Sequence, residues 1–421
     1  MTAEVCMMNR LAVVLAADSA TTVSRWVDGK KEERYFKGAN KIFQLSDHHP
    51  VGLMIFDSAD ILQVPWETVV KCFRTHLDKK PFNTVEEYAE ELFSFLDDNP
   101  RFFPESVQAD QLLRPVRAQI FGWMAASKSD DEDGLQRERL DALIEAQRAE
   151  LVDVPLAPCL KQELVDKIVA DYREAILQTI AEFAEYMQCE PPSDLAHAVE
   201  TAFLQILKHP EDNLGTTGLV ITGFGDHEIF PSMVEYVSCG VVGGKHLHLR
   251  KTDKRLDHDN PAWLSAFAQT EMTDTFNLGL SVPMYGQLMV TVTENLAEFA
   301  HQVADKSGGK IDAIDDLEGL MQAATSNIGD AVLDKAWKEH SLPLRSVLSV
   351  LPVDEMAELA ETLITLQSLK EKVTKPSATV GGPVDVAIIT KHEGLVWVKR
   401  KHFFNSDINS RFTLRQAAKH S

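Results

Sequence analysis

Three residues with the clearest chemical potential lie in the first tenth of the chain: Thr2, Asp18 and Lys41. A small residue after Met1 is the kind that methionine aminopeptidase exposes, so a mature chain is expected to start at Thr2. That residue would then carry both a hydroxyl nucleophile and a free α-amine. An α-amine has an unperturbed pKa of about 7.7–8.0, close enough to neutrality to act as general base for its own hydroxyl. Asp18 closes the apolar run LAVVLAA (11–17), and Lys41 opens KIFQL. A buried Asp–Lys pair near the amine would hold the lysine charged. Its positive field would disfavour protonation of the amine and keep it a working base.

Strands and helices must position these groups. Three stretches have β character, and the first spans residues 3–57. It holds the run 11–17, a hairpin around Asp28-Gly29-Lys30, then 41–45 and 51–56. Asp-Gly between strand-like flanks is a strong short-range hairpin signal. The second stretch, 218–268, reads GLVITGFG, PSMVEYVSCGVV, a Gly243-Gly244 turn, KHLHLR and WLSAFA. The third, 384–404, pairs VDVAIIT with GLVWVKRKHFF. Unbroken Val/Ile/Leu runs predict strands buried on both faces and covered by helices. Helices are expected from Pro65-Trp66-Glu67 onward, over 161–189 and 196–207, and through most of 280–373, with 355–372 the most periodic part. Their Met and aromatic positions are expected in the core. The segment 129–133 is an acidic loop. No repeat is present.

Other reactive residues carry weaker patterns. Cys6 is a rival nucleophile, but a small buried thiol is the default for such a position. His246 and His248 alternate along one strand face; without a nearby Cys or acidic residue at fixed spacing, a solvated hairpin is expected rather than a metal site. Asp257-His258-Asp259 and Asp47-His48-His49 read as loops. Gly223-Phe224-Gly225 lacks the third glycine of a dinucleotide loop.

Composition narrows the classes. The chain has 421 residues, 44% hydrophobic and 25% charged, with 42 Lys and Arg against 64 Asp and Glu, a formal net charge of −22. Such acidity opposes phosphate backbones and anionic lipid, so neither nucleic acid nor a membrane is an expected partner. The longest basic cluster, 399–402, is too short for an arm. Five cysteines without CxxC spacing suit a reducing cytoplasm and argue against disulfides or structural zinc. Residues 11–17 are read as a buried strand rather than a signal-peptide core, given Glu4 before and Asp18 after.

Taken together, these stretches resemble the proteasome β-subunit and its bacterial relative HslV, members of the N-terminal-nucleophile (Ntn) hydrolases. The resemblance rests on Thr2, LAVVLAADSATT, KGANKIFQL and VGLMIFDSAD, then LVITGFG, PSMVEYVSCGVV, FAQTEMTDTF and VGGPVDVAIIT, in that order. It implies an α+β fold, an αββα sandwich of antiparallel sheets between helix layers. Core pieces would span 2–75, 216–282 and 376–421 with its tail, and helical insertions 76–215 and 283–375. It further implies Thr2 as nucleophile, Asp18 and Lys41 as charged support, and backbone N–H groups at Asp57 and Ser58 as oxyanion hole. The family usually has glycine at that turn, where this chain has Phe56-Asp57-Ser58. Ser377 and Val380 stand where the family has Asp and Ser, leaving Ser377 or Thr379 as partial support. The implied activity is amide or peptide-bond hydrolysis through an acyl-enzyme, with no metal or other cofactor. A peptide or protein substrate, a homo-oligomer and an ATPase or other protein partner go with it. Two alternatives stay open: an inactive Ntn-fold scaffold, and an amidase for a small molecule.

Overall fold

A computed structural model describes residues 3–27, 30–128, 136–307, 316–374 and 380–402, with 404–405, 408–412 and 414. Thr2, Ser377, Thr379, the Asp28-Gly29 turn and the acidic segment 129–133 lie outside the described residues. The fold is α+β, with antiparallel sheets and many helices.

In chain order, β1 (Ala3–Asn9) and β2 (Ala12–Ala17) form one hairpin, and β3 (Ala20–Val27) and β4 (Lys30–Lys37) a second. Then come β5 (Ile42–Gln44), β6 (Val51–Asp57) and the short pair β7 (Asp60–Ile61) and β8 (Val64–Pro65). Helices α1 (Trp66–Leu77), α2 (Val85–Asp97), α3 (Glu105–Ser127), α4 (Gln136–Leu151), α5 (Gln162–Met187), α6 (Leu195–Lys208) and α7 (Pro210–Asn213) follow. Next are β9 (Thr217–Gly223), β10 (Ser232–Val242), β11 (Lys245–Arg255) and β12 (Ala262–Ala268). Helices α8 (Glu271–Leu278), α9 (Val282–Ser307), α10 (Leu317–Ala336), α11 (Leu342–Leu348) and α12 (Val353–Thr374) lead to β13 (Asp385–Thr390) and β14 (Gly394–Lys399). Pro65 stands one residue ahead of α1 rather than in its first turn.

The chain divides into two compact units: Met1–Ile42 with Glu228–Ser232 and Lys254–Ser421, and Phe43–His227 with Met233–Asp253. The first holds a sheet in the order β12-β1-β2-β13-β14. Every residue of β1 and β2 is buried, as their unbroken apolar runs require. Helix α12 packs on both strands, so Val5, Met7, Val14 and Ala16 share a core with Met356, Ala360, Leu363 and Ile364. Burying each large aliphatic side chain there contributes about 1.5–3 kcal/mol. Asn9 closes the β1–β2 turn: its Oδ1 accepts from Leu11 and Ala12 at 2.9 and 3.1 Å, while its Nδ2 donates to the Leu348 and Leu351 carbonyls.

The second unit holds a sheet in the order β11-β10-β9-β6-β5. Strands β6 and β9 pair antiparallel with Leu53 opposite Ile221. One core joins this sheet to α1 and α2, and another joins it to α3–α6. Helix α2 starts at a reciprocal cap, in which Thr84 Oγ1 accepts from Glu87 N–H and Glu87 Oε2 accepts from Asn83 N–H. Gly223 has φ +141°, and a Cβ there would sit 2.0 Å from the Pro50 carbonyl oxygen. The Gly223-Phe224-Gly225 segment is thus a close-packed structural turn, with Phe224 fully buried.

Two expectations need correction. The strand carrying His246 and His248 is no solvated hairpin: His246 is fully buried, and both rings stack near Phe93, at 5.1 and 4.0 Å between centroids. His246 Nε2 meets Ser238 Oγ at 2.8 Å, but Nδ1 of each histidine has no hydrogen-bond partner. The alternation of KHLHLR placed both rings on the face that α2 covers, which a single strand cannot reveal. Second, Met284 and Phe299 of α9 are exposed rather than in the core. No described helix is long and apolar enough to cross a membrane.

Burial lowers both histidines below the ordinary imidazole value, His246 further, with Lys245 nearby adding to the effect. The unfolded chain therefore binds protons that the folded chain excludes, so stability should fall as pH drops through about 6.5. Urea unfolding between about pH 7.5 and 5 checks this: the midpoint should fall less steeply in His246→Gln than in the wild-type chain. Gly223→Ala should cost about 2–3 kcal/mol, read from the same unfolding curves at neutral pH, because backbone rather than a movable side chain blocks the new methyl.

Candidate active site

Asp18 follows β2 directly and Lys41 immediately precedes β5. The spacing of Asp18 from the N-terminus has a simple cause. Strands β1 and β2 pair with Glu4 opposite Ala17, so the next pair outward is Ala3 and Asp18. The bonds follow that register: Asp18 N–H donates to Ala3 O at 3.2 Å, and Ala3 N–H donates to Asp18 Oδ1 at 3.2 Å.

Asp18 and Lys41 come together in the first unit. The Lys41 ammonium bonds Asp18 Oδ1, with both groups buried. The other carboxylate oxygen accepts from the Gly381 N–H at 2.7 Å and the Ala20 N–H at 3.3 Å. Gly381 belongs to the Gly-Gly turn before β13, with φ values of +144° and +88° at Gly381 and Gly382. Ser19 locks that turn: its hydroxyl donates to Pro383 O, and its N–H donates to Gly381 O at 3.3 Å. Its carbonyl accepts from Gly38 and Ala39, fixing the chain that delivers Lys41. Burying a carboxylate is costly unless donors surround it, and here four meet it.

One member of the cluster was missed by sequence reasoning. Glu4 is fully buried, and its Oε1 lies 3.2 Å from Lys41 Nζ. Two carboxylates therefore share one ammonium. The signal was present in β1, where one charged residue interrupts the otherwise apolar run AEVCMM. A charge inside a strand buried along its whole length must find an opposite charge.

Asp57 ends β6 in the second unit, with φ +66°. That left-handed conformation is one glycine adopts without strain and Asp tolerates. The turn does not feed directly into a helix. Strands β7 and β8 intervene and α1 begins at Trp66, so the N–H groups of α1 are not those of Asp57 and Ser58. The Ser58 hydroxyl donates to Asp60 O at 3.0 Å. Asp57 keeps exposed surface, yet partial enclosure raises its carboxyl above the ordinary value.

The rival nucleophiles are structural. Cys6 is fully buried, and burial pushes the Cys239 thiol up to about 12 and raises Cys159 and Cys189. Thiols held protonated are poor nucleophiles. Asp257 caps its own loop by accepting from Asp259 and Asn260 N–H. Among the described residues, no group of His, Cys, Asp and Glu could hold a metal ion. Val380, where the resemblance places a hydroxyl, is buried in the apolar core of the first unit.

No protein-family model matches the chain, and no curated protein matches it. Among solved structures, the chain is similar to one described as the Anbu (Gly-1) mutant from Hyphomicrobium sp. strain MC1. The two share 8% sequence identity at a TM-score of 0.25, over 100% of this chain and 97% of that one.

Proposed function

We propose that the chain is an N-terminal threonine hydrolase of the Ntn type, cleaving amide or peptide bonds through an acyl-enzyme. The observation that carries this reading is the Asp18 carboxylate, which binds Lys41 on one side and the backbone N–H of Ala3 on the other. The residue that follows Thr2 is thereby tied to a buried charged pair. In the proposed reaction Thr2 Oγ attacks the substrate carbonyl carbon, and the Thr2 amine takes the hydroxyl proton. The amine then returns that proton to the leaving nitrogen as the C–N bond breaks. Water, activated by the same amine, cleaves the ester and regenerates Thr2. Ser377 or Thr379 is the proposed further support for the reacting groups.

Glu4 modifies the electrostatics. Lys41 disfavours a proton on the amine, whereas the second carboxylate favours one. The acid limb of the pH–rate profile is the expected reporter of this balance.

The second reading is an Ntn-type scaffold without activity. Two observations favour it: the carboxylate at the Asp57 turn, and the apolar Val380 before Gly381.

Intact mass before and after a peptide epoxyketone separates the two. Loss of Met1 with one covalent adduct, absent in Thr2→Ala, is expected of the enzyme; a retained Met1 sinks the catalytic reading. Thr2→Ala should abolish hydrolysis without changing the melting temperature. Lys41→Ala should also abolish it, but at a stability cost of about 3–5 kcal/mol, since it removes the ammonium that two buried carboxylates share. Wild-type turnover in either variant would overturn the site. In Glu4→Gln the acid limb should move to lower pH, because removing a negative charge makes the amine easier to deprotonate.

A further inference from the structure

Helices α9 and α10 pack together as an antiparallel hairpin within the first unit. Their seam is visible in three contacts: Tyr285 Oη and Met289 Cε lie against Gly329, and the hydroxyls of Thr293 and Thr325 are 3.4 Å apart. Beside that seam lies an uncovered apolar stripe. On α9 it consists of Met284 (69% exposed), Leu288, Phe299 (64% exposed) and Val303. At about 100° per residue these four fall within about 100° of one another, roughly a quarter turn from the seam. On α10, Leu320 (59% exposed) and Ile328 form the matching stripe. Because the helices run in opposite directions, the same sense of rotation away from the seam brings both stripes to one side of the hairpin.

The carboxylates avoid the centre of this face. Glu294 and Asp305 project from α9 more than about 100° away from the centre of its stripe, Asp330 does likewise on α10, and Glu298 and Asp334 stand at the stripe's edges. In a chain of net charge −22, the centre of this face carries no carboxylate to oppose a like-charged molecule. The six exposed side chains offer roughly 600 Å² of apolar surface, or about 1,200 Å² counted on both members of a pair, the lower bound of a stable specific interface. A monomer rarely leaves so large an apolar face bare.

We propose that this face of the α9–α10 hairpin packs on the same face of a second copy of the chain, forming a four-helix bundle about a two-fold axis. Such an interface is self-complementary and closes at two copies. The inference does not rest on the proposed hydrolase reaction, and its test does not use activity.

Sedimentation velocity on the full chain is the test, run at about 1 and 20 μM. A dimer is expected for the wild type. Phe299→Glu and Leu320→Glu, one on each helix, should each raise its dissociation constant by at least about 30-fold. Circular dichroism checks that each variant keeps its helix content; if one misfolds, the other decides. Glu294→Lys, off the face, should leave the dimer intact. A wild-type monomer at the higher concentration would overturn the proposal. So would a dimer that survives both face substitutions, or a hairpin that binds lipid vesicles while the chain stays monomeric.

Discussion

The first unit depends on one buried carboxylate. Asp18 is met by the Lys41 ammonium and by backbone N–H groups of Ala3, Ala20 and Gly381. Those partners come from the start of β1, the chain leaving β2, the approach to β5 and the turn before β13. Sequence separations of 15 to 363 residues are thus closed on two oxygen atoms. Apolar packing of β1 and β2 against α12 supplies the driving force, but it is tolerant of small slips. The carboxylate is not. An unmet charge at that depth would cost several kcal/mol, so the register of the hairpin and the path of the Gly381-Gly382 turn are held together.

Glu4 changes the meaning of the cluster. An Asp–Lys pair alone is formally neutral and presents the lysine as the field that a nearby amine would feel. Glu4 places a second carboxylate 3.2 Å from the same ammonium, so the lysine's charge is shared between two acceptors. Breaking the pair costs fold stability, because the carboxylates and the ammonium are all buried.

Among its described residues, the second unit has no comparable buried charged centre. Its reactive-looking residues are spent on packing: His246 and His248 stack with Phe93, Gly223 makes room for the Pro50 carbonyl, and Cys239 lies in the core with α3–α6. The α9–α10 hairpin of the first unit shows the reverse relation. There, residues that look like core by type stand in solvent, because a two-helix hairpin has too little interior to bury both of its apolar faces.

Much of this was legible in the sequence. The continuous apolar runs located β2, β6, β9 and β13, because a strand covered on both faces needs no alternation. The Asp-Gly pair marked the β3–β4 hairpin, and the periodicity of 161–189 marked α5 within two residues. The pairing of Asp18 with Ala3 is set by the β1–β2 register, which is a local property. Other facts needed the tertiary structure. Whether a half-polar strand such as β11 faces water depends on a helix 150 residues earlier, so His246 was misjudged. Glu4 gained its role from a lysine delivered by another segment, and Asp57 its left-handed turn from the interposed β7–β8 pair. Residue types and short spacings determine which groups are charged, apolar or able to turn. Which of them end up sharing a low-dielectric interior is decided only when distant segments pack, because desolvation depends on what covers a group and not on what precedes it.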